Sequence, residues 1–312
     1  MAAPTNTFQT YDAIGNREDL TDIIWNVAPY ETPFLSGMPT ARASATLHEW
    51  QTDTLAAAAQ NTQIEGSDAT TDAVVPTVRL TNYTAISDKV VRVTGTQDAV
   101  NKAGRDKELA YQLVLRGREL KKDMELMAFA NQASVVGTDT VSRKVAGIEA
   151  FIDTNTSAGA GGSDGSLGTT ARTDGTQRVF TEDLLLDVHQ SCWDEGGQPD
   201  TLYVGSFNKR KASGFTGIAT KFKDVDDKKT IASVDVYVSD FGELKIVPSR
   251  QCRSRTGYLI QTDMTAYATL RNMETVNLAK TGDSERKQLL CEWTLEVRNE
   301  KAHGLVADLT TS

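Results

Sequence analysis

Apolar residues recur at three- and four-residue steps from Arg105 to Ala133, a spacing that predicts one helix of roughly 28 residues. Leu109, Leu113, Leu120, Met124 and Met127 form its stripe, with Gly117 at the one small position. Arg116, Arg118, Glu119, Lys121, Lys122, Asp123 and Glu125 cover the remaining circumference. At ~1.5 Å per residue the rod is about 40 Å long, the width of a domain, so it organises the fold around itself and its stripe needs a cover.

Upstream, Ala45 to Leu55 and Pro76 to Val93 read as two strands, the second rich in Val and Thr. Residues 56–75 join them as a hairpin tip of about 20 residues, long for a connection inside a compact domain and so expected to reach outward. Tyr83 and Ile86 fall on opposite faces and Val90-Val91 breaks the alternation. That pattern predicts either contact on both faces or a bulge.

Downstream, Thr181 caps a predicted helix to about Glu195, with Leu184, Leu185, Val188 and Cys192 inward and Gly196-Gly197 ending it before Pro199. Thr201 to Gly205 reads as a short buried strand. Val234, Val236 and Val238 alternate with Asp235 and Tyr237, turn through Asp240 to Gly242 and pair with Leu244 to Val247, which completes an α/β unit. Near the end, Trp293, Leu295 and Val297 face one way while Glu292, Thr294, Glu296 and Arg298 face the other, predicting a half-buried strand. Asn299 to Lys301 turns the chain, and Leu305 to Leu309 returns beside that strand. At the start, Asp19 to Val27 predicts a short helix that Pro29, Pro33 and Pro39 keep from continuing. Trp25, Tyr30, Phe34 and Leu35 are too apolar to stay in water, so they must be buried against this chain or a neighbour.

Composition narrows the function. The chain has 312 residues, of which 39% are hydrophobic, enough for a sizeable core. No apolar run approaches the ~18 residues needed to cross a bilayer, and the start lacks a signal-peptide pattern, so a cytoplasmic site of synthesis and no membrane partner are expected. Thirty-three Lys and Arg against 42 Asp and Glu leave a net charge of −9, which disfavours direct phosphate recognition. The basic clusters Lys121-Lys122, Lys209 to Lys211 and Lys228-Lys229 are short. Cys192, Cys252 and Cys291 are spaced as reduced thiols. His48, His189 and His303 stand at no metal-ligand spacing, and neither a nucleophile elbow nor a phosphate-binding loop is present. Gly159 to Gly165 departs from a dinucleotide fingerprint and reads as a flexible loop. Asp153, Asn155 and Ser157 mimic a calcium loop, but Ala158 replaces its turn glycine and Asp164 its closing Glu. No catalytic residue, metal or cofactor is therefore expected. The competing reading is a cytosolic α/β enzyme or ligand-binding protein with the Gly159 to Gly165 loop as a lid.

A set of strings in fixed order resembles one family across essentially the whole chain. They are Thr7 to Leu20, Glu31 to Phe34, Leu47 to Asp53, Gly95 to Gln97, Ala130 to Ala133, Tyr237 to Leu244, Leu278 to Arg286 and Ala307 to Ser312. The sequence resembles the major capsid proteins of tailed bacteriophages, which have the Hong Kong ninety-seven fold. The resemblance implies an α+β chain with an N-terminal arm (1–44), an extended β-hairpin loop (45–93), a peripheral domain with a spine helix (94–140), an axial domain (141–269) and the peripheral β-sheet (270–312). It places the C-terminal meander under the long helix. It also implies a major head protein that self-assembles, as pentamers and hexamers, into an icosahedral shell around double-stranded DNA. Portal, scaffolding and decoration proteins would be its further partners, the scaffold as a separate chain. No residue matches the Lys–Asn cross-linking chemistry of some members. An encapsulin-like compartment of the same fold is the alternative. The expected contacts between subunits are Trp25, Tyr30, Phe34 and Leu35 on the arm and the acidic tip residues Glu65, Asp68 and Asp72. The tip should dock on a positive surface such as Lys121 and Lys122 or Lys209 to Lys211.

Overall fold

The computed structural model describes residues 31–69, 71–100, 107–215 and 236–312. Trp25, Tyr30, the helix predicted from Asp19 to Val27, Val234 and Lys228-Lys229 lie outside the described residues. In chain order the first elements are α1 (Pro33–Gly37), β1 (Thr40–Arg42), β2 (Leu47–Thr52), β3 (Val78–Tyr83), β4 (Ala85–Thr94), α2 (Gly95–Ala99) and α3 (Glu108–Ala128). Then follow β5 (Thr156–Ser157), α4 (Glu182–Asp194), β6 (Thr201–Val204), α5 (Ser206–Ala212), β7 (Val236–Ser239), β8 (Gly242–Pro248), β9 (Gly257–Ile260), β10 (Thr265–Asn277), β11 (Ser284–Val297) and β12 (Gly304–Val306).

The long helix is α3, 21 residues, and it ends earlier than its periodicity predicts, while Arg105 and Asp106 lie outside the described residues. It stops because Phe129 turns inward to meet Phe34, Tyr203 and Tyr258, while the amides of Asn131 and Gln132 bond to the carbonyls of Arg172 and Val145, both at 2.8 Å. Leu109, Leu120 and Met124 are buried as expected, and Leu113 and Met127 pack partly against the same core. Gly117 is not a packing position, since a side chain there would meet nothing within 4 Å. Glu125, expected on the charged face, is wholly buried because α1 and the end of β8 close over that end of the helix.

The stripe finds its cover in a four-stranded sheet of order β1-β10-β11-β4. Leu109 packs on Val91 and Val93, whereas Leu120 and Met124 join the cluster of Trp293, Leu295 and Val297. A six-stranded sheet, β5-β12-β9-β6-β8-β7, carries α4 on one side, where Leu185, Val188 and Cys192 meet Leu202, Leu244 and Leu309. Tyr258, Ile260 and Leu305 of this sheet belong to the same cluster as Trp293, so one continuous core joins the two sheets and α3.

Three expectations are corrected. The segment Pro76 to Val93 is two strands interrupted at Thr84, whose amide bonds to the Thr46 carbonyl at 2.8 Å. Its first half pairs with β2 in the hairpin and its second half enters the four-stranded sheet, where it alternates regularly and leaves Ile86 and Val90 exposed. The strand around Trp293 is buried on both faces, because the hairpin base lies over its polar side. There His48 Nε2 meets Glu296 at 3.0 Å, Trp50 Nε1 donates to the Val297 carbonyl at 2.8 Å, and Asn82 Nδ2 donates to the Leu295 carbonyl at 2.8 Å. Leu305 to Leu309 does not return beside that strand. β12 pairs with β9 and β5 in the six-stranded sheet, and Gly304 fits against Val188 and Cys192, where a Cβ would come within 2.5 and 2.8 Å of their side chains. The partner of β11 is instead β10, itself joined in parallel by β1.

Candidate assembly surfaces

The hairpin rises from an anchored base to an uncovered loop. At its base, Glu292 accepts from Thr84 Oγ1 at 3.1 Å, Arg143 at 2.5 Å and Arg271 at 2.8 Å. Burial alone would raise the Glu292 carboxyl, yet Arg271, Thr84 and Arg143 bring it below the usual carboxylate range. Between Thr52 and Val78 none of the described residues lies in a strand, and every one of them is exposed. The segment carries Asp53, Glu65, Asp68 and Asp72 with no Lys or Arg, together with Leu55, Ile64, Val74 and Val75 at 99%, 83%, 94% and 72% exposure. An apolar set so open to water sets this loop apart from the rest of the described surface, where large aliphatic side chains are less exposed.

A basic stripe lies on α3. Val114, Arg118 and Lys121 recur along one exposed line, with Lys122 beside them, and Leu126 follows at 56% exposure. Among the described residues Lys121 and Lys122 form no ion pair. The other basic candidate is less available, since Lys209 Nζ donates to the Ile246 carbonyl at 3.0 Å while Arg210 and Lys211 both lie over the Phe207 ring.

The arm residues divide. Phe34 is 1% exposed, with its ring 4.7 Å from Phe129 and 5.3 Å from Tyr203, so it belongs to this chain's own core and offers no surface to a neighbour. Leu35 packs partly against the same core.

The glycine-rich stretch is not a flexible lid. The amides of Gly159 and Gly175 donate to the two oxygens of Asp308 at 3.0 and 2.9 Å, and a Cβ on Gly159 would fall 2.0 Å from the Thr176 carbonyl oxygen. Asp308, at a left-handed φ of 59°, also receives Arg172 and Arg255, while Arg253 bridges Glu149 and Asp174. This buried network escapes sequence reasoning because its members scatter from Glu149 to Asp308. The one visible trace is the run of glycines that lets the backbone close around the carboxylate.

The remaining candidate chemistry is occupied by structure. Asn155 Nδ2 donates to the carbonyls of Lys301 and His303, His189 Nδ1 meets Ser239 Oγ at 2.8 Å, and burial pushes the Cys192 thiol up to about 12. Among the described residues no group of three or more His, Cys, Asp or Glu could hold a metal ion.

A long helix laid across a mostly antiparallel sheet, a hairpin with an exposed loop and a second α/β sheet on one shared core make an architecture found in shell-forming proteins. A family model described as SU10 major capsid protein matches residues 3–310, and the chain belongs to that family. It is 27% identical over 347 aligned residues to the major capsid protein of Escherichia phage Phieco32, covering 98% of this chain and 97% of that one. Its fold is similar to the capsid of cyanophage A-1(L), with a TM-score of 0.67 at 12% identity over 97% of this chain and 99% of that one. The fold also resembles the SrpI encapsulin of Synechococcus elongatus, with a TM-score of 0.59 at 9% identity over 95% and 93% of the two chains. Fold alone therefore serves both kinds of compartment, and the family separates them. The chain is a structural component of a tailed-phage virion capsid, which assembles from many copies.

Proposed function

We propose that the hairpin loop of each subunit lies along the exposed face of α3 on a neighbour. The loop's acids would meet Arg118, Lys121 and Lys122, and its apolar residues would cover Val114 and Leu126. The observation that carries this reading is the loop itself, which has four acids, no base and four open aliphatic side chains on a fixed stem. Opposite charge fixes register and partner choice, and apolar area supplies the affinity. Each contact is modest, but a closed shell links many of them, so effective affinity rises far above that of one interface.

In this reading α3 and the four-stranded sheet make up the peripheral part. The six-stranded sheet with α4 is the axial part, gathering in pentamers and hexamers. Trp25 and Tyr30, on the arm ahead of α1, would contact a neighbouring subunit, and assembly would take place in the host cytoplasm. The shell encloses double-stranded DNA without sequence recognition, in keeping with the charge of −9, and works with portal, scaffolding and decoration proteins. The role is mechanical, with no catalytic step.

Deleting residues 60–72 tests the proposal. The variant should keep its fold but lose particles in sedimentation and electron microscopy, whereas an undiminished particle yield would show that the loop is not a contact between subunits.

A further inference from the structure

Glu125 lies within the last turn of α3 with no exposed surface, and three separate segments meet on it. Its Oε1 accepts from Ser249 Oγ at 2.8 Å, just past β8, and its Oε2 faces the Leu35 amide of α1 at 3.4 Å. Among the described residues no cation forms an ion pair with it. The ionisable groups facing it are Tyr203 of β6 and Cys252 in the loop after β8, both held protonated by burial. α1 contributes none, and on its own helix Lys121 is exposed and Lys122 partly so. An uncompensated carboxylate in such a place is costly, and a neutral carboxylic acid is not. Burial accordingly raises the group from 4.5 to about 7, against the opposing pull of Ser249 and the amides of Leu35 and Phe34.

We propose that Glu125 is a proton-operated latch that holds residues 32–38, the root of the N-terminal arm, against the end of α3. With its proton the carboxyl plugs the three-way junction as a neutral group. Without it, the charge draws water into the junction and loosens α1. A helix of five residues has little stability of its own, so its attachment decides its order. The latch operates within one chain and does not depend on how subunits meet, so its failure and that of the loop contact are separately visible.

Amide hydrogen exchange of the full-length, unassembled chain tests it, with rates corrected for intrinsic pH dependence. Protection at Leu35, Ser36 and Met38 should fall about tenfold between about pH 5 and about pH 9, while amides of β6 and β9 hold. Glu125→Gln keeps size and hydrogen bonding but cannot ionise, and should be flat over that range. Ser249→Ala removes a donor to the ionised form and should move the midpoint upward. Should the Gln variant not fold, the wild-type slope and the Ser249→Ala shift decide the matter. A flat wild-type profile, an equal slope in Glu125→Gln or an unmoved midpoint in Ser249→Ala would overturn the latch.

Discussion

Arg172 Nη2 donates to Asp308 Oδ2 over 3.2 Å with neither side chain exposed. The same carboxylate accepts from Gly159, Gly175 and Arg255, which ties the last residues of the chain to a loop more than 130 positions upstream. Burial alone would raise the Asp308 carboxyl, but the amides of Gly159 and Gly175 and the guanidinium of Arg172 bring it below the usual range. Asp308→Asn keeps the shape and the left-handed backbone but leaves Arg172 and Arg255 without its counter-charge. It should lower unfolding stability by ~3–5 kcal/mol in urea titration, as removal of one partner from a buried pair does. An unchanged midpoint would show that the network is not stabilising as charged.

The two faces of α3 should respond oppositely to truncation. Leu120 is 1% exposed in the main core, so Leu120→Ala should cost ~2–5 kcal/mol. Arg118 is exposed, and Arg118→Ala should stay within about 0.5 kcal/mol while weakening assembly. Equal losses of stability in denaturant would place the buried face wrongly.

His303 sets part of the acid limit. Burial lowers its pKa from 6.5 to about 4, so the folded chain keeps it neutral while the unfolded chain takes up a proton. Its contribution is intact above pH 6.5, is lost progressively as pH falls towards 4, and is constant below that. The loss amounts to about 3 kcal/mol at about 1.4 kcal/mol per pH unit. In urea melts, His303→Gln should show a shallower decline than wild type across that window, and parallel curves would count against this role.

A charge swap addresses the proposed contact without deleting anything. Lys121→Glu combined with Lys122→Glu should abolish particles while leaving thermal stability nearly unchanged. Adding Glu65→Lys, Asp68→Lys and Asp72→Lys in the same chain should restore them. Particles that persist in the first variant, or fail to return in the second, would separate these residues from assembly.

Local periodicity made α3, α4, the short strand β6 and the β7–β8 hairpin readable from sequence, because each follows from side chains three or four, or two, positions apart. What stayed hidden depends on distant partners. Glu125 sits in a charged run and looks exposed until α1 is placed over it. Glu292 and Glu296 read as a solvent face until His48, Thr84 and the hairpin base cover them. The crossing of the chain into the second sheet is set by the close fit of Gly304 on Val188 and Cys192 rather than by any turn signal. Of the expected contact residues, Phe34 was correctly read as needing burial, but its cover is Phe129 and Tyr203 of the same chain.

The most direct test of the central claim is a cryo-electron microscopy reconstruction of particles formed by the full chain. The account predicts a closed icosahedral shell in which residues 53–77 of each subunit run along the Val114, Arg118 and Lys121 face of a neighbour. A shell in which that segment folds back on its own subunit, leaving this face of α3 bare, would contradict it.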